Sequence, residues 1–303
     1  MYSLYQGIVE MKVKSRILAI ALMAIVLSGC GLTSRQIYKT QSFGTATANI
    51  GKIGEEEFVS IRNGIIEMNK ELISIDNTKT SENFEFDKPT SAEHTSTRVA
   101  ACKALNLYGE LLVKLVSEDR TENLEKVANA LLDNTAAALG KDLPDEKKGA
   151  IGKIIAGFGS FWVNKKKADA AKEIIPAYEQ PVNDLADLLS DDFSIDDDAL
   201  GYLKGYETTA KRLKNASMRL INSGSKYTVL ERDRAISALV LSERALTRST
   251  ELSKKVKKSI EGLKKANTEL VKVMEDDNYS SDDIKMYVVQ IQELVNMYQV
   301  LTN

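Results

Sequence analysis

The chain carries few thiol or imidazole groups, which are strong nucleophiles and common transition-metal ligands, since it has two cysteines and one histidine among 303 residues. Cys30 is the more conspicuous thiol, because it closes a short apolar run and directly follows Leu27, Ser28 and Gly29. An accessible thiol can be acylated, oxidised or used as a nucleophile. The residues that precede Cys30 indicate which of these fates applies.

Those preceding residues have the layout of a secretory signal. Lys12, Lys14 and Arg16 form a positive region, and residues 17–27 form an apolar one. The apolar region is too short for a transmembrane helix, because crossing a bilayer takes about 20 residues. The whole segment, with the four residues that end at Cys30, resembles the signal peptide and lipobox of bacterial lipoprotein precursors.

The resemblance implies that residues 1–29 are removed and that Cys30 becomes an acylated N-terminus, carrying fatty acids such as palmitate. Residues 1–10 precede Met11, the natural start of such a signal, and are either a start-site artefact or a longer positive region. In related lipoproteins Asp after the cysteine commonly marks inner-membrane retention, so Gly31 favours the outer membrane, facing the periplasm. The alternative is an ordinary apolar N-terminal helix with an incidental cysteine.

The remaining candidates for chemistry are weak. His94 has no cysteine or second histidine near it in sequence, which favours a structural or exposed role. Cys102 shares a helical face with Val99 and Leu105, so we expect it in the core. Residues 184–198 are rich in Asp but lack the ligand order of a calcium loop. The sequence also lacks phosphate-loop, HExxH, CxxC and GxSxG motifs, so we predict no enzyme, cofactor or metal site.

Composition indicates a helical protein that does not bind nucleic acid. The net charge is −2, and removing residues 1–29, which carry +2, leaves about −4. Prolines number four and aromatic residues make up 6%, which favours helix over sheet. Two thiols in a secreted protein, one of them acylated, would leave Cys102 without an intramolecular partner.

Apolar spacing predicts an all-α, elongated antiparallel helical bundle with coiled-coil-like seams over residues 41–303, after a lipidated tether at 30–40. Capping-box spacings at Thr90 with Glu93, and at Ser194 with Asp197, predict two helix starts. Pro176 and Pro181 predict a kink or break. Residues 228–275 read as one very long helix. The seam of the first helix is Phe58, Ile61, Ile65, Met68, Leu72 and Ile75. The later seam of the long helix is Val256, Ile260, Leu263, Asn267, Leu270 and Met274.

An apolar, glycine-rich segment at 149–163 is the other candidate site. Each glycine lowers helix propensity by about 1 kcal/mol relative to alanine, so their number needs a reason. Two reasons are open: close packing inside the bundle, or contact with a membrane, with an aromatic residue at the interface and flanking lysines on head groups. The residues concerned are Gly149, Gly152, Gly157, Phe158, Gly159, Phe161 and Trp162.

The sequence therefore predicts a lipid-anchored cell-envelope protein that binds or scaffolds another envelope protein. An immunity or exclusion lipoprotein, which blocks an incoming toxin or phage, is one concrete version. The alternative is a membrane-acting protein that inserts residues 149–163 into a bilayer, with a vague architectural likeness to helical pore-forming toxins. A third reading, an envelope enzyme built from dispersed carboxylates, is weaker. The seams can close within one chain or between chains, so the oligomeric state is left open.

Overall fold

The computed structural model describes residues 31–76, 85–117, 124–140, 164–223 and 228–302. These residues form seven helices and no strand, so the all-α prediction is confirmed. An elongated outline and coiled-coil packing stay predictions. The helices are α1 (Ser34–Asp76), α2 (Ala92–Val116), α3 (Leu124–Leu139), α4 (Asn164–Asp192), α5 (Tyr202–Asn222), α6 (Val229–Glu275) and α7 (Asp282–Thr302).

The two longest helices, α1 and α6, run antiparallel along each other. Near the start of α1, the Gln36 side-chain amide donates to the Val273 carbonyl at 2.9 Å. Near its end, Arg234 donates to the Ser74 hydroxyl at 2.8 Å. At 1.5 Å per residue, α6 with its 47 residues is about 70 Å long. The predicted seam residues of both helices are buried.

Helix α2 packs closely on α1 through glycines. A β-carbon on Gly51 would lie 2.5 Å from the Asn106 nitrogen and 2.5 Å from the Cys102 carbonyl oxygen. One on Gly44 would lie 2.8 Å from the Gly109 carbonyl oxygen. Of the two explanations that the α1 glycines allow, weak helical turns or a close neighbour, the structure shows the close neighbour.

The first helix begins earlier than predicted, at Ser34 instead of near Gln41. Residues 34–40 are therefore helical, and the prediction of a tether over 30–40 is wrong for them; Thr40 is buried. The helix start is capped reciprocally: Thr33 accepts from the Gln36 backbone at 3.1 Å, and the Gln36 side chain accepts from the Thr33 backbone at 3.1 Å.

Two other predicted helix starts need correction. The N-cap of α2 is Ser91, which accepts from the His94 backbone nitrogen at 3.2 Å, not Thr90. Helix α5 begins at Tyr202 after the N-cap Gly201, not at Ser194. Ser194 instead closes a local turn with Asp196 at 2.8 Å.

Helix α4 continues through Pro176 and Pro181, so the predicted breaks at these prolines are wrong. The other predicted elements fit better. Helix α6 matches the predicted 228–275, with Thr228 as its N-cap in a capping box. Asn267, the one polar residue of the predicted seam, donates to the Glu179 carbonyl of α4 at 3.0 Å. Gly140, at φ 60°, follows the last residue of α3 in the left-handed conformation that commonly ends helices.

Candidate functional site

Both segments that carry the sequence-based site predictions, the lipobox with Cys30 and the segment 149–163, lie outside the described residues. The structure shows instead where the chain enters the fold after each of them. Residues 31–33 lead into α1, and Asn164 begins α4. Both entry points can therefore be placed in the bundle.

The start of α1 is fastened to the turn between α6 and α7. The Thr33 hydroxyl donates to the Asp277 carboxylate at 2.6 Å, and the Arg35 guanidinium donates to the Tyr279 carbonyl at 2.9 Å. We call this end of the bundle, formed by the start of α1 and the α6–α7 turn, the anchor end. Thr33 follows Cys30 by three residues, so their Cα atoms lie at most about 11 Å apart.

Helix α4 also begins at the anchor end. The Lys167 ammonium donates to the Ser117 carbonyl at 3.0 Å, where α2 ends. Asp187, further along α4, pairs with Lys264 of α6 at 2.5 Å, and α4 runs antiparallel to α6. The chain therefore returns from the segment 149–163 at the same end of the bundle at which it enters after Cys30.

A cleft of about 670 Å³ opens farther along the bundle, between the starts of α2 and α5 and the end of α4. We call it the basic cleft, because four of its lining side chains are Lys or Arg and one is Asp. Its Lys, Arg, His and Asp lining residues are Lys88, His94, Arg98, Asp192, Lys204 and Arg212. With histidine neutral, these side chains sum to +3.

A buried ion pair forms one wall of the basic cleft. The Arg98 guanidinium donates to the two Asp192 carboxylate oxygens at 2.9 and 3.3 Å. The Asp192 side chain is 5% exposed and that of Arg98 is 24% exposed. Burial raises the pKa of Asp192 above its ordinary value, although the Arg98 hydrogen bond and charge and the Tyr202 backbone oppose the rise. The pair joins α2 to α4, and the Tyr202 contact extends it to α5.

Gly201 lets α5 start against this wall. A β-carbon on Gly201 would collide with the Asp191 carbonyl oxygen and lie 2.8 Å from the Asp192 Cα atom. The Tyr202 hydroxyl forms a hydrogen bond with the Thr95 hydroxyl of α2. The cleft wall is therefore tied together by backbone contact and buried polar groups.

Two other sequence predictions can be placed. His94 is exposed and Cys102 is buried with a free thiol, as predicted. Burial raises the pKa of the Cys102 thiol, as do the nearby charges of Glu55 and Asp192, so the reactive thiolate is disfavoured.

Within the described ranges, no three His, Cys, Asp or Glu side chains are grouped so that they could hold a metal ion. No described helix is both long enough and apolar enough to span a bilayer.

The basic cleft has no counterpart among the sequence-based predictions. Its charged side chains come from two stretches, 88–98 and 192–212. Even Arg98 and Asp192 are 94 residues apart, and no spacing rule joins them. The nearest signal was the run of Asp residues at 184–198, which contains Asp192 but gives no indication of its basic partner. Comparison of the chain with known protein families, curated proteins and solved structures gave no match.

Proposed function

We propose that this chain is a lipid-anchored binding module of a bacterial cell envelope, at the outer membrane and facing the periplasm. The observation that carries the proposal is the fastening of Thr33 and Arg35 to the α6–α7 turn. A lipid on Cys30 would then hold the anchor end within about 11 Å of the acylated residue. Such a short link makes the attachment of the folded body to the membrane direct.

An exposed apolar stripe at the other end of α6 supports a binding role. Val229, Ile236 and Val240 are 87%, 46% and 44% exposed and recur every seven and four residues. They share one helical face, opposite the buried residues Ala238 and Ser242. Apolar residues aligned on a solvent-facing helix are typical of contact with another protein.

The experiment is photocrosslinking in native membranes. With a photoreactive amino acid at Ile236, we expect one envelope protein to be captured by the lipidated chain. Val240→Asp should abolish the product, because a carboxylate cannot enter an apolar interface without a partner. Cys30→Ala should also abolish it, because the protein then lacks its membrane anchor.

Met286 supplies the matched control. It is 54% exposed on α7, near the anchor end. The same photoreactive group there should not yield that product. Equal capture from both positions, or none from a chain that keeps its helical circular dichroism, would contradict the proposal.

Contact of the segment 149–163 with the membrane is a second candidate function. It is favoured by the position of Asn164, which begins α4 at the anchor end, so that the segment leads back to the part of the bundle nearest the lipid. Trp162 is the single tryptophan of the chain and reports on this segment alone. On this alternative, liposomes should shift its emission to the blue and release an entrapped dye. An unchanged spectrum without leakage would rule it out.

A further inference from the structure

The basic cleft has the size and charge of a ligand site. Its volume of about 670 Å³ falls within the ~300 to 1,000 Å³ typical of small-molecule pockets. A cleft lined by one sign of charge concentrates ligands of the opposite sign, and here the lining sums to +3. Solutes with negative charge are therefore the class that the cleft attracts.

The cations of the cleft differ in what they already bind. Arg98 forms an ion pair with Asp192. The Lys204 ammonium donates to the Ile195 carbonyl at 2.8 Å and lies 3.3 Å from the Glu207 carboxylate. Lys204 is thereby held in place but largely neutralised.

Lys88 pairs with the exposed Glu85 at 3.0 Å, an interaction that water weakens.

Arg212 is the exception. It is exposed, it lines the cleft, and it has no hydrogen bond or ion pair with any other residue that the structure describes. A guanidinium presents five donors in a plane and binds phosphate or carboxylate through two parallel hydrogen bonds. Arg212 is thus the cation with its full binding capacity available.

The position of the cleft favours a soluble ligand over membrane phosphates. Asp87, next to Lys88 of the cleft, accepts from Arg62 of α1 at 2.7 Å. Arg62 follows Ser34 by 28 residues, which places this level about 40 Å along α1 from the anchor end. With the bundle upright on a bilayer that holds the Cys30 lipid, the cleft would lie about 40 Å from the head groups.

We propose that the basic cleft binds a small, water-soluble, phosphate-bearing anion, with Arg212 as the principal ligand-binding side chain and Lys204 and His94 beside it. The start of α5 lines the same cleft, and its Tyr202 backbone already donates to Asp192. This inference goes beyond the proposed function and needs no protein partner; only the choice of a soluble ligand over a membrane phosphate rests on the lipid anchor.

The test is calorimetric titration of the full chain in a neutral maltoside detergent at low salt, with pyrophosphate and with inorganic phosphate. We expect saturable binding that Arg212→Gln weakens about tenfold or more, as the loss of a charge-assisted hydrogen bond does. Arg244→Gln is the matched control. Arg244 is exposed on α6 outside the cleft, so this variant should bind within about twofold of the unaltered chain.

Three results would overturn the inference. One is no saturable heat with either anion at about 10 mM, an affinity too weak for a built site. Another is equal weakening by Arg212→Gln and Arg244→Gln, which would indicate only a general effect of net charge. The third is binding to phosphatidylglycerol vesicles that is tighter than to pyrophosphate and sensitive to Arg212→Gln, which would assign the cleft to lipid. Thermal unfolding of both variants confirms that the fold is kept.

Discussion

Replacing Gly51 by alanine is expected to lower the free energy of unfolding by about 2 kcal/mol, in spite of alanine being the better helix former. The new β-carbon would lie 2.5 Å from the Asn106 nitrogen and from the Cys102 carbonyl oxygen, both of which are backbone atoms of α2. Backbone atoms cannot rotate away from the new β-carbon as a side chain can, so α1 and α2 must separate. Overpacking of this kind costs about 1 to 3 kcal/mol, occasionally more, and exceeds the ~1 kcal/mol gained in propensity.

Separating the two helices would also strain the hydrogen bond from Asn106 to the Ala48 carbonyl, now 3.0 Å long. The effect should therefore appear as a lower urea midpoint and as weaker protection of α1 and α2 amides from hydrogen exchange.

Gly262→Ala is the matched control. Gly262 lies inside α6, and its β-carbon would meet the end of the flexible Gln290 side chain, which can move aside. This variant should be neutral or more stable by up to about 1 kcal/mol. If Gly51→Ala is as stable as Gly262→Ala, the close contact of α1 with α2 is wrong.

The second large effect is expected from Arg248→Met, which we expect to destabilise the fold by about 3 kcal/mol at pH 7. Arg248 of α6 donates to both carboxylate oxygens of Glu57 of α1, at 2.7 and 3.0 Å. The Glu57 side chain is 0% exposed, so the variant leaves a buried carboxylate without its partner, a change that costs about 3 to 5 kcal/mol.

The loss should depend on pH. Burial raises the pKa of Glu57 above its ordinary value, while the Arg248 charge and hydrogen bond lower it. Between the unfolded and the raised pKa the native state binds more protons than the unfolded chain, so stability falls as pH rises through that interval. Without Arg248 the pKa of Glu57 rises further. The deficit of the variant should therefore be small in acid and grow towards neutral pH.

Urea unfolding followed by circular dichroism across pH 4 to 8 measures the loss of stability in Arg248→Met and its dependence on pH. Arg234→Met is the control, because Arg234 pairs with Glu71 at 3.4 Å on the surface, where such pairs are worth less than about 1 kcal/mol. Adding Glu57→Gln to Arg248→Met should recover most of the lost stability and remove the pH dependence. Equal, pH-independent losses for the two arginine variants would contradict this account.

The parts of the fold that the sequence predicted are those with long apolar repeats. The spacing of Val256, Ile260 and Leu263 predicts a buried face of α6, and all three are buried. Such repeats are informative because one helical face must exclude water over many turns. Capping-box spacings predicted the exact starts of helices less well. Thr90 and Ser91 are neighbours, and either hydroxyl could have capped α2.

The start of α1 was missed because most of its residues are polar, and the adjacent Ile37 and Tyr38 form no apolar repeat. Residues 34–40 are helical through tertiary bonds, among them those of Arg35 and Gln36 to the end of α6 and the turn after it. The spacing of Thr33 and Gln36 was the one local signal, a capping box. The basic cleft could not be predicted, because tertiary packing alone brings Arg98, Asp192 and Arg212 together.

The antiparallel packing of α1 on α6 fixes the distance between the anchor end and the exposed apolar stripe of α6. Ile236 precedes Val273 by 37 residues, which amounts to about 55 Å along α6. A helix braced by a second helix at both ends cannot shorten without breaking bonds such as that of Gln36 to Val273. If Cys30 is held in a membrane, the exposed stripe at Ile236 lies at a set distance from the membrane-attached end of the bundle. Recognition would then select partners by their height above the membrane as well as by their surface.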